Sequence, residues 1–226
     1  SHELDDSKAA LQQMILWPNK KRHKLCACGV GLGREPQKIY IPWSGWVLVR
    51  STFAMQKWFA ERALPVMVAG SRHPGVRLPS VALDLQAVGR HAAGLFAGRG
   101  HHSAAIFTGN LFAAGDEQTR MGFMEGCKTA DSPMKFVDAQ HDGTVEGLCL
   151  KLDTLLAGKT PPTAFFTTFT GNTLTVLTHF LRRGLRIPRD AAIISRDSNR
   201  YLEQAVPSVA RYELSNTEPG AESSLD

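Results

Sequence analysis

Residues 85–108, LQAVGRHAAGLFAGRGHHSAAIFT, form one complete helix-to-strand unit, and this unit decides the fold class. A helix is predicted over Leu85–Arg99, because apolar residues recur there at helical spacing. They are Val88, Ala92, Leu95 and Phe96. Gly100 is expected to end the helix, since glycine readily adopts the backbone conformation found there. The next run, Ala104–Thr108, is almost wholly apolar, which is typical of a strand covered on both faces.

The same alternation of short apolar runs and amphipathic segments extends in both directions. Strands are predicted at Trp46–Val49, Pro65–Ala69, Val81–Leu83, Met134–Asp138, Ala164–Thr168 and Ala191–Ser195. Helices are predicted at Ser51–Arg62, Asp116–Thr129, Thr144–Ala157 and Asn172–Arg183, the first with Ser51 or Thr52 as N-cap. Repeated strand-helix units predict an α/β fold with a parallel, doubly wound sheet.

The two ends of the chain do not follow this pattern. Residues 1–45 contain one predicted helix, Asp6–Leu16, followed by a stretch rich in Lys, Gly and Pro without a clear period. After Arg211 the sequence is polar, and we expect its tail to be disordered. The chain also begins with Ser, and truncation or a reading-frame error at both ends would explain the pattern, as would a genuinely divergent terminus.

Composition and cysteine usage favour a cytoplasmic globular protein. The chain is 43% hydrophobic and 21% charged, and its apolar runs are far shorter than the roughly 20 residues that a bilayer span needs. The few cysteines are expected to be free thiols in a reducing compartment. Cys26 and Cys28 beside His23 could begin a zinc site, but no second ligand pair follows, and we predict no metal.

The formal net charge of +5 includes a basic run at residues 20–24, KKRHK, which could contact phosphate. A solvated basic turn is the alternative, and no helix-turn-helix pattern accompanies the run. An enzyme is not predicted, because no nucleophile, base or metal set can be assembled. Gly29, Gly31 and Gly33 lack the spacing of a dinucleotide loop, and we predict no cofactor. His101 and His102 are interpreted as turn packing.

Polar residues near the carboxyl ends of predicted strands are candidates for ligand binding, because open α/β sheets bind ligands at that edge. Arg120 is predicted in the first turn of a helix, where its guanidinium could bind adjacent hydroxyls, although it could also be a surface residue. Asp197 directly follows a strand and could accept hydrogen bonds from hydroxyls, or it could cap the next segment. Asp84 occupies a similar position and could instead be a helix N-cap.

Several motifs in order and spacing resemble the effector domain of the LacI/GalR family of transcription regulators, over roughly residues 46–212. They are PSVALD at 79–84, GRHAA at 89–93, GHH at 100–102, RMGF at 120–123, PTA at 162–164, GLRIPRD at 184–190, IISRD at 193–197 and Pro207. The resemblance implies two Rossmann-like lobes with parallel sheets, as in type I periplasmic binding proteins, with an incomplete N-terminal lobe. It implies a divergent segment at 1–45, a partial N-terminal lobe at 46–83, a C-terminal lobe at 84–197 and a return segment with a tail at 198–226.

By this resemblance, Arg120 and Asp197 match the effector-contacting Arg and Asp of the family. Phe169 and Thr170 stand where the family often has Asn-Asp, which makes a standard hexose a doubtful ligand. The predicted effector-binding residues are therefore Arg120, Asp197, Thr170, Phe169 and Asp84.

The function implied is sensing of a sugar-like or nucleoside-like effector by a regulator. The full-length protein is expected to be a homodimer that contacts DNA only through a headpiece missing from this chain, and no membrane contact is expected. A periplasmic sugar-binding protein of an ABC transporter is the alternative.

Overall fold

The computed structural model describes residues 25–28, 45–62, 64–109, 113–130 and 132–213, with only the backbone described at 25–28. Two compact units divide the chain. The described residues of unit 1 fall within Ser1–Leu85 and Leu111–Gln118, and those of unit 2 fall within Gln86–Asn110 and Thr119–Asp226. Each unit contains one parallel β-sheet, so the predicted α/β class with two lobes is confirmed.

Unit 1 has a four-stranded sheet in the order β1-β2-β3-β4. Its elements are β1 (Leu25–Cys28), β2 (Gly45–Val49), α1 (Phe53–Glu61), β3 (Val66–Ala69) and β4 (Ser80–Val81). Leu48, Phe59 and Val68 form the centre of its core, because they are almost completely buried. Thr52 caps α1 by accepting a hydrogen bond from the Met55 amide at 3.2 Å, one of the two caps predicted.

Unit 2 has a five-stranded parallel sheet in the order β6-β5-β7-β8-β9. Its strands are β5 (Ser103–Phe107), β6 (Lys135–Asp138), β7 (Ala164–Thr167), β8 (Ala192–Ser195) and β9 (Ala210–Arg211). Its helices are α2 (Leu85–Ala97), α3 (Ala114–Thr129), α4 (Val145–Leu156), α5 (Thr170–Arg182) and α6 (Arg200–Glu203). The first residue of α2, Leu85, still belongs to unit 1, as do residues 114–118 at the start of α3.

Successive residues of the central strands of unit 2 face two separate apolar clusters. Ile106 and Phe166 belong to one cluster, whereas their neighbours Phe107 and Phe165 belong to the other. Since successive side chains of a strand point to opposite faces, both faces of this sheet are buried under helices. This arrangement explains why the strands are apolar at every position and do not alternate with polar residues.

Helices α2 and α3 approach each other through glycine. A Cβ on Gly122 would lie 2.0 Å from the carbonyl oxygen of Gln86, and one on Gly89 would lie 2.3 Å from that of Thr119. These distances are far inside van der Waals contact, so both positions require the absence of a side chain. Glycine at both positions therefore lets the two backbones come close.

Two short strands lie outside the predicted set. Strand β1 pairs in parallel with β2 within the stretch where the sequence shows no clear period. Strand β9 follows α6 and pairs in parallel with β8. Such short strands carry too few residues to show a periodic pattern. The predicted helix Asp6–Leu16, the basic run at 20–24, the glycines at 29–33 and the tail after residue 213 lie outside the described residues.

Candidate ligand-binding site

A cavity of about 660 Å³ lies in unit 2, next to the carboxyl ends of the neighbouring strands β7 and β8. The loops and the first helical residues that follow these strands form its walls, together with Glu213, which lies two residues after β9. Its lining residues are Phe169, Thr170, Gly171, Leu174, Asp197, Ser198, Asn199, Tyr201 and Glu213. This is the edge at which open parallel sheets bind ligands.

Asp197 lines this cavity and is held there by its neighbours. The Nε of Arg196 donates to Oδ1 of Asp197 at 3.1 Å, and the Asp197 side chain stays 29% exposed. The capping alternative is excluded for helix α6, because Asn199 caps it by accepting a hydrogen bond from the Tyr201 amide. The Asp197 carboxylate therefore keeps a solvent-accessible portion that can accept hydrogen bonds from a ligand.

Three buried hydroxyls connect β7, α5 and β8 beneath the cavity. Thr167 and Thr173 approach through their Oγ1 atoms at 2.7 Å, and Thr173 donates to Oγ of Ser195 at 3.0 Å. Ser195 in turn donates to the backbone carbonyl of Asp197 at 2.8 Å. Each hydroxyl supplies one proton, so these distances fit a single chain of donors that runs from Thr167 to the Asp197 carbonyl.

Phe169 and Thr170 form the other wall of the cavity, at the start of helix α5. Phe169 is the N-cap residue in an extended conformation, and its side chain provides no capping hydrogen bond. The first amides of a helix have no intrahelical acceptor, and the helix dipole makes this end partly positive. Backbone N–H groups near Thr170 and Gly171 can therefore donate to oxygen atoms of a ligand.

Arg120 does not line the cavity. Helix α3 begins at Ala114, so Arg120 lies in its second turn and not in the first turn as predicted. The Nη1 of Arg120 lies 3.3 Å from Oδ2 of Asp138, the last residue of β6. The Arg120 side chain is 21% exposed. The preceding residue, Thr119, accepts a hydrogen bond from Nη1 of Arg196 at 3.1 Å. Arg120 is thus connected to Asp197 through its neighbour Thr119 and through Arg196.

Arg196 and Asp138 are not among the site residues predicted from the sequence. Arg196 is only 5% exposed, and its guanidinium bridges Thr119 of α3 and Asp197. Asp138 pairs with Arg120 and also accepts a hydrogen bond from the Gln140 side chain at 3.4 Å. Both residues lie at carboxyl ends of strands, and this position was the signal that could have identified them.

Asp84, the fifth predicted residue, belongs to unit 1, where it is exposed just before α2. It is not among the residues that line the cavity of unit 2. Of the five predicted residues, three therefore line the cavity, namely Phe169, Thr170 and Asp197. Arg120 is outside the lining, but its neighbour Thr119 is hydrogen-bonded to Arg196, which contacts Asp197.

Burial shifts the pKa values of His101, His141 and Cys127 in unit 2. Burial lowers the pKa of His141, whose Nδ1 accepts a hydrogen bond from the Gly143 amide at 3.1 Å and whose Nε2 lies 3.2 Å from the Asn172 amide nitrogen. Burial also lowers the pKa of His101, which packs on Phe96 as the sequence suggested. The buried thiol of Cys127 has a pKa raised to about 11, so it is protonated and unreactive at neutral pH.

Two kinds of feature do not occur among the described residues. No three or more His, Cys, Asp or Glu side chains lie close enough together to hold a metal ion. None of the described helices combines the length and the apolar character that a membrane crossing requires.

Several solved structures share the fold of this chain. A LacI family transcriptional regulator from Mycobacterium smegmatis is 25% identical, with a TM-score of 0.65 over 76% of this chain and 64% of that chain. A regulatory protein of LacI family from Chloroflexus aggregans is 23% identical, with a TM-score of 0.66 over 75% of this chain and 62% of that one. An uncharacterized protein from Actinobacillus succinogenes is 16% identical, with a TM-score of 0.67 over 75% and 62%.

The chain thus spans less than two thirds of the length of each of these structures. No curated protein matches it. The sequence model of a family described as periplasmic binding protein-like domain matches residues 93–223, which is more than half of the chain and includes the whole cavity wall. The chain belongs to the periplasmic binding protein-like domain family.

Proposed function

We propose that this chain is the effector-sensing domain of a LacI/GalR-type transcription regulator and is not an enzyme. Its ligand is a small sugar-like or nucleoside-like molecule that binds in the cavity of unit 2. The observation that carries the proposal is the position of Asp197, which is fixed by Arg196 beside a cavity at the carboxyl ends of β7 and β8.

The chemistry of the cavity supports a ligand rich in hydroxyl groups. Carboxylate and amide oxygens of Asp197 and Asn199 accept hydrogen bonds, the start of α5 donates them, and Phe169 and Tyr201 offer flat apolar surfaces. Sugars and nucleosides present hydroxyls around a ring with an apolar face, so one such molecule can use all three features.

The regulator assignment is supported by the solved structures, since two of the three described above are regulators of the LacI family. In such a protein the effector binds one conformation better than another, and this difference shifts the population of states. We assign DNA contact to a helix-turn-helix headpiece and not to units 1 and 2, and we expect a homodimer in the cytoplasm. A helix-turn-helix encoded directly upstream would support this assignment, whereas an encoded signal peptide would favour a transport protein.

The test of the site is Asp197→Asn, with binding to a panel of sugars and nucleosides followed by isothermal titration calorimetry. We expect the affinity for the bound ligand to fall by about tenfold to a hundredfold, since a charged hydrogen bond contributes about 1.5–3 kcal/mol. Asparagine is preferred to alanine because it keeps an acceptor for the buried Arg196.

The matched control is Glu146→Gln, which neutralises an exposed carboxylate in the first turn of α4, outside the cavity. This control should bind the ligand like the unmodified chain. Equal affinities in the Asp197 variant and the control would contradict the site assignment. Absence of binding across the whole panel would contradict the sensor function.

A further inference from the structure

The formal charges on the wall of the unit 2 cavity are negative. Among the nine described residues that line it, the charged ones are Asp197 and Glu213, and there is no Lys, Arg or His. Glu213 is exposed and lies on the wall that follows β9. A ligand in the cavity therefore meets two carboxylates and no cationic side chain of the lining.

Of the arginines that neighbour lining residues in the sequence, Arg200 is exposed on α6, and the other two have partners of their own. Arg196 is buried and directs its guanidinium toward Thr119 and one oxygen of Asp197. Arg211 directs its guanidinium toward Glu203, with 4.0 Å between Nη2 and Oε1. The start of helix α5 adds a partial positive charge, which suits the oxygen of a neutral hydroxyl. Glu213 remains uncompensated by these contacts.

Two aromatic rings face the same space. Phe169 is 51% exposed and Tyr201 is 65% exposed, so both rings offer accessible surface at the cavity. The face of an aromatic ring attracts a cation, and ammonium groups are often bound between such rings and carboxylates. Gly171 accommodates one ring, because a Cβ at that position would lie 2.8 Å from Cε1 of Phe169.

From these charges and surfaces, we infer that the ligand carries a positively charged amine next to its hydroxyls, as amino sugars do, and that sugar phosphates are rejected. This inference rests on the proposed function, because it takes the unit 2 cavity to be the effector site. The carboxylates of Asp197 and Glu213 bind the ammonium, the start of α5 donates to a hydroxyl oxygen, and the ring of Phe169 or Tyr201 covers the apolar face.

The experiment compares sugars that share one ring and carry no charged group, an amine or a phosphate. Glucose, glucosamine and glucose 6-phosphate, and the three corresponding galactose compounds, are titrated into the full chain by calorimetry. A pH of about 6.5 keeps the amine largely protonated. We expect each amino sugar to bind about tenfold more tightly than its neutral parent, from one ion pair and one cation–π contact. The phosphates should bind most weakly, and added salt should reduce the preference for the amine.

The variant Glu213→Gln isolates the contribution of the cavity charge. It should lower the affinity for the amino sugar more than the affinity for the neutral sugar, whereas the control Glu146→Gln should change neither. A neutral sugar or a phosphate that binds as tightly as the amine overturns this inference but leaves the sensor function intact. Absence of binding by all six compounds overturns the inference, and the wider panel then decides on the sensor function.

Discussion

Arg196 is a buried cation whose stability in the fold depends on its partners. Burying a charge is costly unless it is paired and hydrogen-bonded, and Arg196 has Asp197 and Thr119 for this purpose. The same contacts fix the carboxylate beside the cavity. The residue therefore acts both on folding and on the geometry of the site.

We expect Arg196→Met to destabilise the chain by about 1–3 kcal/mol, because Asp197 then loses its partner while staying partly hydrated. The free energy of unfolding is measured by urea titration. The matched control is Arg200→Met, which removes an exposed arginine from α6 and should change stability by less than about 0.5 kcal/mol. Equal stabilities of the two variants would show that the Arg196 contacts contribute nothing.

The buried imidazole of His141 predicts a pH dependence of stability. Burial lowers its pKa below the ordinary value of 6.5, so the unfolded chain binds a proton in a pH range where the folded chain does not. The free energy of unfolding should therefore fall as the pH decreases from 6.5 toward the lower pKa of the folded state.

The variant His141→Asn tests this dependence, because it keeps an acceptor for the Gly143 amide but does not titrate. The free energy of unfolding is measured by urea titration at one pH above 6.5 and at one pH below the lowered pKa of His141. The difference between the two pH values should be smaller for the variant than for the unmodified chain. The remaining difference includes His101, whose pKa is also lowered. An identical difference in both proteins would rule out a contribution from His141.

The sequence identifies part of the candidate site because strand ends mark the functional edge of a parallel sheet. Asp197 could be found in this way, whereas Phe169 and Thr170 were predicted through the family resemblance, and all three line the cavity. Side-chain direction after a strand end does not follow from spacing alone. For this reason Arg120 was predicted to face a ligand but bonds Asp138, while the role of Arg196 was not foreseen.

At the scale of the elements, α2 and α3 depend on glycine at their point of closest approach. Gly122→Ala should destabilise the chain by about 1–3 kcal/mol, because the new methyl group would overlap the Gln86 carbonyl. Gly94→Ala in α2 is the matched control, since a Cβ there meets nothing within 4 Å. This second change should stabilise the helix by up to about 1 kcal/mol.

Thermal or urea unfolding of both variants measures these effects. The opposite signs are informative, because helix propensity favours alanine at both positions and only the close contact differs. If both substitutions stabilised the chain, the approach of α2 and α3 would be looser than the structure indicates.

Most elements could be predicted because they carry long periodic patterns. The helix predicted at Leu85–Arg99 is observed at Leu85–Ala97, and the strand predicted at Ala104–Thr108 is observed at Ser103–Phe107. Strands β1 and β9 could not be predicted, because their stability comes from pairing with β2 and β8 and not from their own sequence. Local patterns do not contain such long-range contacts.

At the scale of the whole chain, each of the two units is built from two separate segments of the sequence. The sequence suggested a boundary between residues 83 and 84, and this boundary remains a prediction. The structure groups the described residues 113–118 with unit 1, although the chain has already entered unit 2 at Gln86. A helix pattern such as that of α3 is continuous, so the sequence gives no sign that its first residues belong elsewhere.

The row of hydroxyls beneath the cavity carries no net charge at any step from Thr167 to the Asp197 carbonyl. Neutral groups of this kind neither titrate in the neutral range nor attract counterions. The geometry that these hydroxyls give to Asp197 should therefore not change when the acidity or the ionic strength of the medium changes. Any response of ligand affinity to those two conditions then reports on the walls and on the ligand itself.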